Sequence, residues 1–157
     1  MGQGASITFS PIDGTHLTND VFDALLRSAQ DLAVDGSRFN LVLLRLSRVA
    51  NGPPWAGSLY WSAAAHGEID GFHAKPFLGA VPTLNETVIL AYDMARPVKG
   101  DDDWLKSMIA QLRIDTDDGA GGRFRLRQLA IVQNPAPERL RAPPPAARPS
   151  MPSTGLR

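Results

Sequence analysis

The sequence predicts an α+β domain: a mainly antiparallel sheet of five to six strands with two helices packed on one face, followed by a proline-rich extended tail. Three observations predict it. Two stretches, 17–33 and 101–112, carry apolar residues at helical spacing. Between them run β-compatible apolar segments whose Gly- and Pro-containing connections are too short for helical crossovers. Beyond Gln133 the composition changes, with seven of the thirteen prolines falling between Pro135 and Pro152. The boundary is therefore drawn between a globular domain, 1–133, and a Pro/Arg-rich tail, 134–157.

Residues 6–12 alternate apolar and polar, which predicts a short strand stopped by Pro11 and the Asp13-Gly14 turn. A first helix is expected next. Thr18 suits the N-cap, Leu17 and Phe22 form a hydrophobic staple, and Gly36 ends the helix. Its apolar stripe is Val21, Phe22, Leu25, Leu26, Ala29, Leu32 and Ala33. Phe39 to Leu46 is nearly continuously apolar and reads as a central strand covered on both faces.

Asn51-Gly52-Pro53-Pro54 forces a turn, after which 57–65 reads as a strand antiparallel to the previous one. Residues 66–71 read as a hairpin loop, and 72–78 as a weak strand that Pro76 confines to an edge or bulge. Residues 86–94 are a strand around Val88-Ile89-Leu90-Ala91-Tyr92. A second helix starts at Asp101-Asp102-Asp103, whose carboxylates complement the helix dipole, and buries Trp104, Leu105, Met108, Ile109 and Leu112. Residues 115–122 read as a Gly/Asp loop and 123–132 as the last strand.

Composition narrows the function classes. Sixteen Lys and Arg balance sixteen Asp and Glu, so no global field draws the chain to nucleic acid or an anionic membrane. The tail departs locally, with Arg139, Arg141, Arg148 and Arg157 against Glu138. There is no cysteine, which removes disulfides, thiolate metal sites and cysteine nucleophiles and fits a reducing compartment. No apolar stretch reaches the ~20 residues of a membrane span. The start has no basic and apolar signal pattern; Met1-Gly2-Gln3-Gly4-Ala5-Ser6 matches a loose myristoylation signal but reads as a Gly-rich leader. The Arg/Ala/Pro-rich usage suggests a bacterial or phage gene, and the expected location is the cytoplasm or, if phage-encoded, the virion.

Four polar constellations are weighed. His66, Glu68, Asp70 and His73 place two imidazoles and two carboxylates within eight residues, a donor set suited to a divalent metal, at a spacing that matches no zinc motif. The plain alternative is a solvated turn. His16 beside Asp13 suggests an acid–base dyad, with no nucleophile elbow to serve it. Asp115, Asp117 and Asp118 with Gly119 resemble a calcium loop in composition only. Arg123, Arg125 and Arg127 fall on one strand face, with Phe124 and Leu126 on the other, and suit phosphates or a partner's carboxylates, the plain alternative being a solvated face.

The tail is the most distinctive segment. Pro-rich chain is already extended and loses little entropy on docking, so Arg139, Arg141 and Pro143, Pro144 and Pro145 are expected contact residues. The expected function is a non-catalytic structural or interaction subunit of a larger assembly, such as a phage particle, a secretion machine or another bacterial complex. Its partners are other protein subunits, as a homo-oligomer or larger complex, with no cofactor, no nucleic acid and no membrane. The alternatives are a small metal- or ligand-binding enzyme domain built on the His66–His73 loop, and a one-to-one adaptor or immunity-type protein.

Overall fold

The computed structural model of the chain describes residues 5–10, 14–19, 25–52 and 54–135. The order of elements is β1 (Ala5–Ser10), β2 (Gly14–Asn19), β3 (Leu25–Arg27), β4 (Val34–Asp35), β5 (Leu41–Ala50), β6 (Trp55–Ala63), β7 (His73–Ala74), β8 (Thr87–Asp93), α1 (Asp103–Lys106), β9 (Met108–Asp117) and β10 (Arg123–Val132). The strands form two sheets, a first in the order β1-β2-β10-β5-β8 and a second in the order β3-β9-β6-β7, with β4 also on β9. Pairing within both is antiparallel.

The two sheets pack face to face around one core. Val42, Leu44 and Leu46 of β5, Val88, Leu90 and Tyr92 of β8, and Phe124 of β10 meet Leu59 and Trp61 of β6 and Leu112 and Ile114 of β9. Two-residue periodicity sets this up, since alternate side chains of each strand enter the core. Each fully buried aliphatic or aromatic side chain there contributes about 1.5–3 kcal/mol relative to exposure. The Tyr92 hydroxyl crosses between the sheets to donate to the Gly57 carbonyl at 3.2 Å. Gly57 sits at φ +60 in the irregular stretch between Trp55 and Ser58, where a Cβ would collide with the Trp55 indole. Burial also pushes the Tyr92 hydroxyl far above its ordinary range.

The expected α+β class with two helices on a sheet is overturned: this is a β-sandwich, and the helix among the described residues has four residues. In place of the first helix, Thr18 lies in β2 and the 25–35 stretch runs as a broken edge strand along β9. Ala33 has φ 50, which a helix interior does not tolerate. Of the expected apolar stripe, Leu26 and Leu32 pack on the core, together with Val34, while Ala29 and Ala33 are exposed. Val21 and Phe22 lie outside the described residues.

The second helix stops after one turn. Trp104 in α1 is fully buried, donates from Nε1 to the Phe39 carbonyl at 2.9 Å, and meets Trp61 edge-on at 5.6 Å. From Met108 the chain becomes β9. Leu112 and Ile114 face the core opposite Trp61 and Leu59, and Gln111, Arg113 and Asp115 face outward opposite Ser62, Tyr60 and Ser58. A register shift at Ala110 keeps Ile109 inward as well, which is why the apolar spacing imitates a helix. β9 runs on to Asp117, so the expected 115–122 loop begins three residues later, at Asp118.

Three smaller corrections concern the meander. β5 and β6 lie in different sheets rather than pairing. β5 is interior but covered on one face, since Arg45 is exposed. The 72–78 strand shrinks to His73–Ala74 at the sheet edge. Among the described residues no helix is long and apolar enough to cross a membrane.

Candidate functional site

The outer face of the second sheet carries the richest chemistry among the described residues. Register places Arg27 of β3, Arg113 of β9, Tyr60 of β6 and His73 of β7 in one transverse row. Arg113 forks onto Asp115 at 2.8 and 2.6 Å and lies over the Tyr60 ring at 4.4 Å. The Tyr60 ring meets His73 at 5.3 Å, and burial, followed by the Asp115 charge, pushes the Tyr60 hydroxyl above its ordinary range. Arg27 Nε donates to both oxygens of Glu68 at 2.6 and 2.9 Å.

A groove begins beside this row. Between β3 and β4 the edge strand bulges away, held by Ser28 N–H on the Leu112 carbonyl and Leu32 N–H on the Ala110 carbonyl. Gln111 fills the gap by donating from Nε2 to the Ser28 carbonyl at 2.8 Å. Under the bulge lies a depression of about 430 Å³ lined by polar groups of Arg27, Gln30, Ser62, His66, Glu68 and Gln111. A second depression of about 290 Å³ is bordered by Ala33, Ala64, Met108 and Ile109. The two share Gln30 and Ala110, so a polar half grades into an apolar half along one groove.

The four expected metal ligands do not converge. His66 Nε2 is 2.9 Å from Asp103 Oδ2, its Nδ1 is 2.9 Å from the Gly67 carbonyl, and its ring stacks on Phe72 at 3.5 Å. Glu68 is taken by Arg27, and His73 Nδ1 is 3.0 Å from the Asp70 carbonyl. Among the described residues no three acidic or imidazole groups gather as a metal would require. Asp103 is the hub of the polar wall. Burial works against its charge, but hydrogen bonds from Trp61 at 2.9 Å, from His66 and from Ser107 hold its carboxyl below the ordinary range.

Both ring nitrogens of His66 face oxygen atoms, Nδ1 the Gly67 carbonyl and Nε2 the Asp103 carboxylate. His16 lies in β2, opposite Thr8 and Arg125, while Asp13 lies outside the described residues. Asp117 and Asp118 do not form a calcium loop: Asp117 is buried against Arg48 and Asp118 is exposed.

Arg123 and Arg125 do alternate with buried Phe124 on β10, opposite Ala50 and Ser47 of β5. Arg127 falls in the register shift between Leu126 and Gln128, which breaks the three-arginine stripe. Arg139, Arg141 and Pro143, Pro144 and Pro145 lie outside the described residues.

Sequence reasoning missed Arg27, Gln30, Ser62 and Gln111 as site residues, because it placed three of them on helices. The strict alternation Gln111-Leu112-Arg113-Ile114-Asp115 was the available signal. Compared with protein families, with curated proteins and with solved structures, the chain matches none.

Proposed function

We propose that the chain is a non-catalytic interaction subunit of a larger protein assembly, and that the groove beneath the 28–33 bulge receives an extended segment of a partner protein. One observation carries the reading: a polar and an apolar depression share Gln30 and Ala110 and follow the edge of a sheet. In an extended segment, side chains on one face repeat about every 7 Å. A polar side chain seated among Arg27, Glu68 and Gln111 would then set the next same-side residue toward Ala33, Ala64 and Met108. The short Arg27–Glu68 and His66–Asp103 contacts fix the polar wall in advance, so little side-chain order remains to be lost on binding. The cysteine-free composition is compatible with a reducing cytoplasm, or with a virion if the chain is phage-encoded.

Peptide display selection on the immobilised full-length protein tests the reading. Selected peptides should share a polar residue and, two positions later, an apolar one. Ala110→Trp, which fills the junction of the two halves, should weaken them more than tenfold while thermal stability changes little. Selection of no such pattern, or full binding by the Ala110→Trp protein, would overturn it.

A further inference from the structure

We propose that the outer face of the first sheet, around β8, is the seat of the chain's own proline-rich segment 136–157. Among the described residues, five of the eight exposed large apolar side chains fall in one short stretch: Phe77, Leu78, Val81, Leu84 and Ile89. Phe77 and Leu78 lie beside the strand that carries Ile89. Phe77 N–H donates to the Ala91 carbonyl and Ala91 N–H to the Leu78 carbonyl, which lays 77–78 alongside β8 at the rim of the first sheet. Across that sheet, Ala130 of β10, Leu43 of β5, Ala91 of β8 and Leu78 form one apolar row. A patch of this kind, rimmed by polar groups, marks a contact surface rather than scattered surface residues.

The chain itself supplies the occupant. β10 ends at Val132 in the same sheet, with Asn134 N–H on Asn40 Oδ1, and Val132, Leu41 and Asp93 lie abreast there. Ala91 is two residues from Asp93, so the chain leaves the fold roughly 15 Å from the patch centre at ordinary strand spacings. A 22-residue segment, the length of 136–157, would span ~68 Å at polyproline rise, several times that distance. Leu140 and Pro143 to Pro145 are its first apolar stretch. A tethered segment meets such a face at an effective concentration of about a millimolar, far above that of any second copy in dilute solution. The seat lies on the opposite side of the sandwich from the groove and stands independently of the groove's function.

The test uses the full-length protein with p-benzoylphenylalanine in place of Leu140, irradiated at micromolar concentration and mapped by mass spectrometry. Cross-links are expected between the probe and residues 77–91, in species of monomer mass. The pair Leu78→Asp and Val81→Asp, both at exposed positions, should lower that yield about tenfold, as the loss of an aliphatic contact predicts. Circular dichroism of that variant checks that the sandwich is retained. Cross-links only between two copies, cross-links spread over the molecule without preference for 77–91, or a yield unchanged by the two aspartates would overturn the proposal.

Discussion

Arg48 of β5 and Asp117 of β9 meet at 2.5 Å across the sandwich, an ion pair buried between two sheets. The guanidinium also lies over the Phe124 ring at 5.0 Å, and Phe124 packs against Trp55 at 5.6 Å. Gly52 and Gly122 close over the carboxylate, leaving no room for a Cβ at either position. One carboxylate oxygen and the Arg48 Nε have no hydrogen-bond partner among the described residues. The pair therefore carries a desolvation cost that its one short contact only partly offsets.

Removing one partner is predicted to cost far more than removing both. Asp117→Ala strands a buried guanidinium and should lower unfolding free energy by about 3–5 kcal/mol. Arg48→Met combined with Asp117→Leu should recover most of that loss. Urea denaturation of the two proteins, read as midpoints at constant slope, makes the comparison.

Burial pushes the Asp117 carboxyl up to about 6, with Arg48 pulling in the opposite direction, against an ordinary value of 3.8. A folded-state value above the unfolded one means that the native protein binds the proton more tightly. The Asp117 contribution to stability is therefore full below about 4 and declines as pH rises through about 6. Asp103, held below its ordinary range, acts in the other direction and only in more acidic solution. The difference between wild type and Asp117→Asn in urea midpoint should change across pH 4 to 6 and be flat above 7.

Trp104 is the plug at the opposite end of the sandwich, fully buried, and its indole N–H is bound to the Phe39 carbonyl. Trp104→Ala should destabilise the protein by about 3–5 kcal/mol through the cavity it leaves. Trp104→Phe should lose less, keeping most of the packing while freeing one carbonyl. Thermal unfolding of the two variants ranks them.

Gln111 substitutes for a missing ladder bond by donating to the Ser28 carbonyl. Gln111→Ala should loosen the 28–33 bulge without disturbing the core, because Leu112 N–H still donates to the Ser28 hydroxyl. Hydrogen exchange should rise at Leu32 and remain unchanged at Leu44 and Leu90.

Much of the strand content was legible, and the class was not. β5, β6, β8 and β10 follow the predicted stretches closely because each combines β-branched or aromatic residues with flanking Gly or Pro. The helices failed for a physical reason. In 104–112 the bulge at Ala110 shifts the inward positions by one, so that buried Trp104, Ile109 and Leu112 mimic a helical stripe, whereas Met108 at the same spacing is exposed. In 25–35 an edge strand interrupted by a bulge does the same, and its partners on β9 are 73 to 90 residues away, from Asp35↔Met108 to Leu25↔Asp115, beyond any local pattern. The groove was hidden for the same cause. Arg27 and Gln111 become neighbours of Glu68 and Ser28 only through pairing across the sheet, which spacing along the chain does not encode.

The most direct test of the groove as the recognition site is an amide NMR titration of the full-length protein with a display-selected peptide. Chemical-shift changes are predicted to concentrate at Arg27, Ser28, Gln30, Ser62, Ala110 and Gln111. Changes confined to β8 and the 77–84 stretch, with the groove amides unmoved, would contradict the account.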